Sequence, residues 1–222
     1  KSNKALTNRA RGWRKKGRED LAQADYETIM NFAPQDANPW FERGVMRYDR
    51  RDWQGALDDL NRGISLNPKW PDALRYRALT HQQLGDFKSA IRDFGLIVGY
   101  SPNNYDAYYA RGTLRAKTKD WKGALGDFDH AVRIKPQSHS ARYWRGAARR
   151  QTGDRAGALV ELNEAVRLNP RSYEAFYLRG RTHDELGMRN EAIADYTRAL
   201  DLAPEDWNYR SEARRFREEP PK

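Results

Sequence analysis

A 34-residue period runs through this chain and restricts its fold more than any other sequence feature. Proline, alanine and a small residue each recur six times at this spacing. The three columns are Pro34, Pro68, Pro102, Pro136, Pro170 and Pro204; Ala22, Ala56, Ala90, Ala124, Ala158 and Ala192; and Ala10, Gly44, Ala78, Gly112, Gly146 and Gly180. Columns that share one register indicate a stacked array of repeats. We therefore predict one array over residues 1–222, with repeats 3–36, 37–70, 71–104, 105–138, 139–172 and 173–206.

Each repeat contains two segments with the apolar spacing of an amphipathic helix. In repeat 37–70 these segments run from Pro39 to about Arg50 and from Trp53 to about Leu66. Asp52 precedes the second segment as a capping residue, and its counterparts are Asp86, Asp120 and Asp154. The pattern predicts an all-α fold of antiparallel helix pairs. We expect small residues such as Gly44 to let the paired helices approach closely.

The unit resembles the tetratricopeptide repeat through Trp40, Gly44, Ala56, Leu60, Gly63, Pro68 and their counterparts. The resemblance covers about residues 3–206 and implies a right-handed α-solenoid. Residues 207–219 resemble the first helix of a seventh repeat, which would cap the array. There we expect Tyr209, Ala213 and Phe216 to pack on the sixth repeat, Arg210, Arg214, Arg217 and Glu218 to face water, and Pro220 and Pro221 to end the helix.

One pair of charged columns departs from the usual family pattern, which has leucine in the first helix. Arginine recurs in every repeat, and a carboxylate follows each arginine 16 residues later. The columns are Arg9, Arg43, Arg77, Arg111, Arg145 and Arg179, with Asp25, Asp59, Asp93, Asp127, Glu161 and Asp195. Inward-leaning charges must be paired, so we predict six ion pairs that tie the helices of each repeat together. The alternative is a functional basic ladder along the groove.

Glycine usage predicts two local features. Arg51 and Lys119 occupy the turn position that is Gly85 and Gly153 in other repeats, so a positive φ there would be mildly strained. Gly95 and Gly99 lie inside a predicted helix, where each glycine destabilises the helix by about 1 kcal/mol relative to alanine. They mark either a soft spot or a place where a neighbour approaches closely.

The composition excludes several kinds of chemistry but does not identify a partner. The absence of cysteine excludes disulfides, thiolate metal sites and cysteine nucleophiles. The net charge of +10 has two interpretations. It can be a surplus of arginine spread over the surface, or it can attract an anionic partner. No apolar run approaches the roughly 20 residues that span a bilayer, so we expect no membrane insertion. The compartment stays open: the cytoplasm is slightly favoured, and the periplasm or secretion is possible because a signal or domain could precede Lys1. The oligomeric state is not determined by the sequence.

No catalytic motif is present, so we expect a non-enzymatic protein without a cofactor or a metal. The four histidines lack the spacing of metal ligands: His81, His130, His139 and His183. His81 and His183 share one repeat position, where a packed, hydrogen-bonded histidine is expected.

The resemblance implies that the first helices line a concave groove that receives a peptide or helix. The corresponding residues are Phe41, Val45, Tyr48, Arg75, Leu79, Gln82, Tyr109, Thr113, Lys117, Tyr143, Ala147, Arg150, Tyr177, Arg181 and Asp184. Four of them form an aromatic column, and aromatic residues are frequent binding anchors: Phe41, Tyr109, Tyr143 and Tyr177. The alternative is that these side chains pack between repeats.

The sequence also bears on two other kinds of partner. The family's clamp for the carboxy-terminal tails of chaperones needs a set of Lys, Asn and Arg, whereas the aligned positions hold Thr7, Arg11, Glu42, Asp72 and Tyr76. Nucleic acid or an acidic partner could instead bind a basic patch in the first helix, which runs from Lys4 to about Lys16. That patch consists of Lys4, Arg11, Arg14, Lys15 and Lys16. A third alternative is an interaction domain of a larger protein.

Overall fold

The computed structural model describes residues 3–218, and every regular element in that range is an α-helix. The predictions about Lys1, residue 219, Pro220 and Pro221 lie outside the described residues. The helices are α1 (Asn3–Lys15), α2 (Glu19–Phe32), α3 (Ala37–Asp49), α4 (Trp53–Leu66), α5 (Pro71–Gln83), α6 (Phe87–Tyr100), α7 (Tyr105–Lys117), α8 (Trp121–Ile134), α9 (His139–Gln151), α10 (Arg155–Leu168), α11 (Tyr173–Glu185), α12 (Arg189–Leu202) and α13 (Arg210–Glu218). The predicted all-α fold is confirmed, with two helices in each repeat.

The chain divides between Ala107 and Tyr108 into two compact parts, which we call the N-terminal half and the C-terminal half. In each half, helices adjacent in sequence pack side by side, as in α3 with α4 and α11 with α12. Fully buried side chains fill the space between the paired helices. Those of the N-terminal half include Tyr26, Ile29, Met46 and Leu60, and those of the C-terminal half include Phe128, Leu162 and Tyr196.

Aspartate caps begin the second helix of four successive repeats, as predicted. The Asp52, Asp86 and Asp120 carboxylates each accept a hydrogen bond at 3.0 Å from the backbone N–H three residues later. Asp154 accepts the same bond from Gly157 at 2.8 Å. These carboxylates satisfy N–H groups that the helix itself leaves without partners.

The sixth repeat lacks this cap, because Met188 precedes α12 and makes no side-chain capping bond. The Met188 backbone has φ −86° and ψ 69°, close to the −81° and 74° of Asp154. Met188→Asp is therefore expected to raise the free energy of unfolding by about 1 kcal/mol. Urea-induced loss of helical circular dichroism measures this change. The reciprocal control, Asp154→Met, should lower stability by a similar amount, and an unchanged midpoint in both variants would refute the prediction.

The turn between paired helices requires a left-handed residue, which confirms the strain predicted for Arg51 and Lys119. Their φ angles are 63° and 65°, against 78° at Gly85 and 94° at Gly153. Glycine adopts this region without the steric cost that a Cβ imposes.

Small residues do allow close helix contact. A Cβ built on Gly44 would lie 2.9 Å from Leu60 Cγ, and one on Gly112 would lie 2.8 Å from Phe128 Cε1. A Cβ on Gly99 would meet no atom within 4 Å, so close approach does not explain that glycine. Helix α6 nevertheless continues through Gly95 and Gly99 to Tyr100.

The predicted C-terminal helix is present but begins later than expected. Trp207, Asn208 and Tyr209 lie in a non-helical connection, and α13 starts at Arg210. The expectation that Arg210 faces water is wrong, since its Nη1 donates to the carbonyl oxygens of Leu200 and Ala203 at 3.0 Å. Arg210 therefore satisfies carbonyls at the C-terminal end of α12, where a cation is electrostatically favoured.

Candidate binding cleft

The six predicted arginine–carboxylate pairs are all present. Each carboxylate is buried, with between 2% and 6% of its residue surface exposed. The N–O distances are 2.5 Å for Arg9–Asp25, 2.7 Å for Arg43–Asp59, 2.6 Å for Arg77–Asp93, 2.5 Å for Arg111–Asp127, 2.5 Å for Arg145–Glu161 and 2.6 Å for Arg179–Asp195. The column is therefore a set of helix-to-helix ties, and its charges are already neutralised within the chain.

A second basic residue, four positions after the arginine column, reaches the same carboxylates in three repeats. Arg47 lies 2.9 Å from Asp59, and Arg115 lies 2.8 Å from Asp127. His183 Nδ1 lies 3.0 Å from Asp195, which agrees with the prediction of a packed, hydrogen-bonded histidine. Sequence reasoning missed this second column, although its four-residue spacing places it on the same helix face.

The column arginines also contact the preceding repeat. Arg77 donates to Asn61 and Arg179 donates to Asn163, both at 2.9 Å, and Arg145 lies 3.3 Å from Asp129. Each of these arginines thus joins its own second helix to the second helix before it. The arginine column therefore contributes to packing between repeats as well as within them.

In the N-terminal half, three of the predicted groove residues pack on Tyr76 or Trp70, which were not predicted as groove residues. The centre of the Phe41 ring lies 4.5 Å from that of Trp70 and 5.8 Å from that of Tyr76. The ring centres of Tyr48 and Tyr76 are 5.7 Å apart. The Arg75 guanidinium lies 4.6 Å from the centre of the Tyr76 ring. Val45 is buried, whereas Leu79 and Gln82 are half-buried. These residues form an aromatic cluster on the first helices.

In the C-terminal half, five of the predicted groove residues line one cleft of about 270 Å³: Tyr143, Ala147, Arg150, Tyr177 and Arg181. Further lining comes from Trp121, Trp144, Gln151, Glu174, Leu178, Trp207 and Tyr209. Tyr109, Thr113, Lys117 and Asp184 are not part of this lining. Helices α9 and α11 supply most of the walls, because their first-helix faces lie side by side in successive repeats.

The aromatic walls of the cleft contact one another in defined geometries. Tyr177 lies 5.1 Å from Trp207 in an edge-to-face arrangement and 5.3 Å from Tyr209 in a stacked one. Tyr143 meets Trp144 edge-on at 5.5 Å. Trp207 and Tyr209 were not predicted as site residues, because they were assigned to a helix. Their non-helical backbone instead places both rings against Tyr177.

Burial controls the ionisation of the cleft tyrosines. Desolvation raises the pKa of Tyr143 to about 12, and the Glu174 carboxylate adds to that shift. Desolvation also raises the pKa of Tyr177, with a further contribution from Glu212. Both phenols are therefore neutral at physiological pH and act as apolar rings with a hydrogen-bonding group.

Two arginines bring positive charge to the cleft. Arg150, whose side chain is 9% exposed, pairs through Nη2 with Glu185, but its buried Nε has no hydrogen-bond partner in the described chain. Arg181 is one-third exposed and lies 3.5 Å from Glu212. Its guanidinium carbon lies 5.9 Å from the centre of the Tyr177 ring. Glu174 is the one carboxylate in the lining.

The basic patch of the first helix is partly neutralised. Arg11 lies 2.5 Å from Glu42, and Arg14 lies 3.3 Å from Glu42 and 2.9 Å from Asp49. Lys4, Lys15 and Lys16 are exposed. Arg11 and Glu42 also occupy two of the positions aligned with the chaperone clamp, and they bind each other. A nucleic-acid interface at this patch, as the sequence analysis considers it, would therefore depend chiefly on these three lysines.

Among residues 3–218, no group of three or more His, Cys, Asp or Glu side chains is arranged to hold a metal ion. The described helices also include none whose length and apolar character would let it cross a bilayer.

Comparison with known proteins places the fold. Residues 76–139 and 173–206 match family profiles described as tetratricopeptide repeat. YrrB, described as a TPR protein with an unusual peptide-binding site, has a TM-score of 0.74 at 21% identity over 82% of this chain and 93% of its own. MamA of Desulfovibrio magneticus RS-1 has a TM-score of 0.71 at 22% identity over 75% and 94%. A tetratricopeptide repeat protein of Parabacteroides merdae has a TM-score of 0.68 at 17% identity over 97% of both chains.

No curated protein sequence matches this chain. The solved structures share its fold at low identity, and the two profiles match its repeats directly. Residues 76–139 and 173–206 are therefore tetratricopeptide repeats, and the chain has the fold of solved tetratricopeptide repeat proteins.

Proposed function

We propose that this chain is a non-enzymatic interaction scaffold that binds a peptide segment of a partner protein in the cleft of its C-terminal half. The observation that carries this proposal is the cleft itself, where Tyr143, Tyr177, Trp207 and Tyr209 surround a volume of about 270 Å³. Apolar concave sites with a few polar groups are typical ligand sites. The proposed site lies on first-helix faces, as the resemblance to the family implies.

The distribution of charge supports binding over catalysis. The buried carboxylates of the C-terminal half are engaged with Arg111, Arg115, Arg145 and Arg179 and act as structural ties. YrrB, one of the similar structures, is described as having a peptide-binding site of its own. Fold likeness does not transfer a function, so the cleft residues must be tested directly.

The test uses the double variant Tyr143→Ala/Tyr209→Ala. Peptides selected on the wild-type protein from a random 12-residue phage library are measured by isothermal titration calorimetry. We expect at least a tenfold loss of affinity in the double variant, because truncation of central aromatic anchors costs about 2 kcal/mol or more. Phe32→Ala is the matched control, since Phe32 is a 52%-exposed aromatic residue in the N-terminal half and should not matter.

Circular dichroism distinguishes lost binding from lost structure. Tyr209 is half-exposed and Tyr143 is only partly buried, so we expect the double variant to keep its helices. Unchanged affinity in a folded double variant would rule out this cleft as the binding site.

A further inference from the structure

We propose that Tyr209 determines which ligands the cleft accepts, and that the bound segment inserts one uncharged aromatic side chain against it. This inference rests on the proposed function and specifies the ligand chemistry of the same cleft. It is carried by the place of Tyr209 in the repeat, by the exposed part of its ring, and by the size and charge balance of the cleft.

Tyr209 occupies a repeat position that otherwise holds a small residue. Its counterparts at intervals of 34 residues are Ala5, Pro39, Ala73, Ala107, Ala141 and Ala175. From Ala73 to Ala175 these alanines are at most 2% exposed, so the space around them is already filled. A tyrosine ring would overpack such a space. Tyr209 therefore cannot take the buried place that its counterparts occupy.

The late start of α13 is consistent with this misfit. Helices α9 and α11 begin one residue after Ser138 and Ser172, whose hydroxyls accept capping hydrogen bonds. Asp206 takes the same repeat position and is also a favoured capping residue, so the period would begin a helix at Trp207. Helix α13 begins at Arg210 instead.

Tyr209 itself occupies the capping position of α13, and its ring lies outside the helix pair. The Ala213 N–H donates to the Tyr209 carbonyl oxygen at 2.9 Å, which places Tyr209 directly before the helix. Tyr209 is 50% exposed, whereas Ala213 is fully buried in the cluster that includes Tyr196 of α12. The late start thus buries an alanine against α12 and leaves the Tyr209 ring to line the cleft.

The Tyr209 ring has surface to offer a ligand. It stacks on Tyr177 with ring centres 5.3 Å apart and meets Trp207 at 6.1 Å. These contacts leave half of Tyr209 exposed, so a further ring can pack on it. Tyr143 is close enough for the Tyr209 phenol to contribute to the raised pKa of Tyr143. Aromatic pairs gain affinity beyond the area that they bury, by roughly two- to tenfold.

The size of the cleft fits one side chain. Its volume is about 270 Å³. An apolar cavity of about 150 Å³ holds one benzene molecule. The cleft can therefore take one ring together with the atoms that join it to a peptide backbone, but it is too small for two rings.

The charged side chains that line the cleft, taken with their ion-pair partners among the described residues, balance one another. They are Arg150, Arg155 and Arg181, and Glu174, Glu185 and Glu212. A charged ligand group would find no net opposite charge here and would lose hydration on entering. An uncharged ring loses little hydration and buries apolar surface.

The experiment compares four probes that share a three-carbon linker: 3-phenylpropanol, 3-cyclohexylpropanol, 3-phenylpropylamine and 3-phenylpropanoate. Binding to the full protein is followed by NMR titration of the tryptophan indole N–H signals. We expect the phenyl alcohol to bind at least threefold more tightly than the cyclohexyl alcohol, although the cyclohexyl group is the more hydrophobic. Neither the amine nor the carboxylate should bind more tightly than the phenyl alcohol.

Tyr209→Leu keeps a large side chain in the small-residue column but removes the ring, so it should reduce the preference for phenyl over cyclohexyl to less than twofold. Tyr209→Phe is the matched control and should preserve the preference, because the ring remains. Tyr209→Ala restores the alanine of the column and should extend α13 toward Trp207. Backbone Cα chemical shifts of residues 207–209 would report that extension, and unchanged shifts would overturn the assignment of the late start to the size of Tyr209.

The outcomes separate this inference from the proposed function. Equal binding of the two alcohols, or a preference that survives Tyr209→Leu, would overturn the inference and leave the cleft as a peptide site. Tightest binding by either charged probe would also overturn it. Failure of all four probes to bind would overturn the proposed cleft as well.

Discussion

Replacing Asp127 by alanine is expected to lower the free energy of unfolding by about 3–5 kcal/mol. The reason is that the arginines that bind this carboxylate would stay in place without their counter-charge. The Asp127 carboxylate is 2% exposed and accepts hydrogen bonds from Arg111 and Arg115 at 2.5–3.1 Å. Arg111 is itself only 16% exposed, so water cannot readily replace the lost carboxylate. Urea-induced unfolding followed by circular dichroism measures the loss.

The double variant Arg111→Leu/Asp127→Tyr is the matched control and is expected to lose less stability than Asp127→Ala. Apolar replacement of both partners removes the desolvation cost together with the attraction. Arg115 keeps an acceptor in this variant, since Asp120 lies 3.6 Å from its Nε and the Gly123 carbonyl lies 3.2 Å from its Nη1. Equal losses in the two variants would contradict the interpretation of the column as coupled ion pairs.

Gly112→Leu is expected to destabilise the C-terminal half by about 3 kcal/mol, the upper part of the usual range for overpacking. A Cβ at Gly112 would already lie 2.8 Å and 2.9 Å from two atoms of the Phe128 ring and 3.2 Å from Asp127 Cβ. Phe128 is fully buried, so the ring cannot move aside without shifting α7 from α8. Thermal and urea unfolding should both report the loss.

Gly126→Leu is the control, because it makes the same substitution at a helical glycine with free space. Gly126 is exposed in α8, and a Cβ there would meet no atom within 4 Å. Helix propensity then favours leucine, and a gain of up to about 1 kcal/mol is expected. Similar effects at the two glycines would show that contact with Phe128 does not limit the size of residue 112.

Much of the fold could be predicted because each repeat buries the same columns. The aspartate caps, the close contact at Gly44, the positive φ of Arg51 and the six arginine–carboxylate ties depend on residues at fixed spacings within one 34-residue unit. Local contacts of this kind recur whenever the residues recur. They are visible in the sequence as columns.

The cleft was only partly predictable, because several of its features depend on how side chains outside the columns are placed. The prediction that certain positions of the first helices line a groove included Tyr143, Arg150, Tyr177 and Arg181, which the structure brings together. It also included Tyr109 and Lys117, which do not line the cleft. It missed Trp207 and Tyr209, whose position follows from the late start of α13.

The sequence by itself therefore determined the helix pairs, their caps and the pairing of the buried charges, since these follow from periodic residues that interact over one helix turn or one hairpin. Only the tertiary structure decided which charges are already satisfied. It shows Arg11 and Arg14 neutralised by Glu42 and Asp49, and the Nε of Arg150 buried without a hydrogen-bond partner among the described residues. Those outcomes depend on side chains that do not recur at the same position in every repeat, so no column in the sequence reveals them.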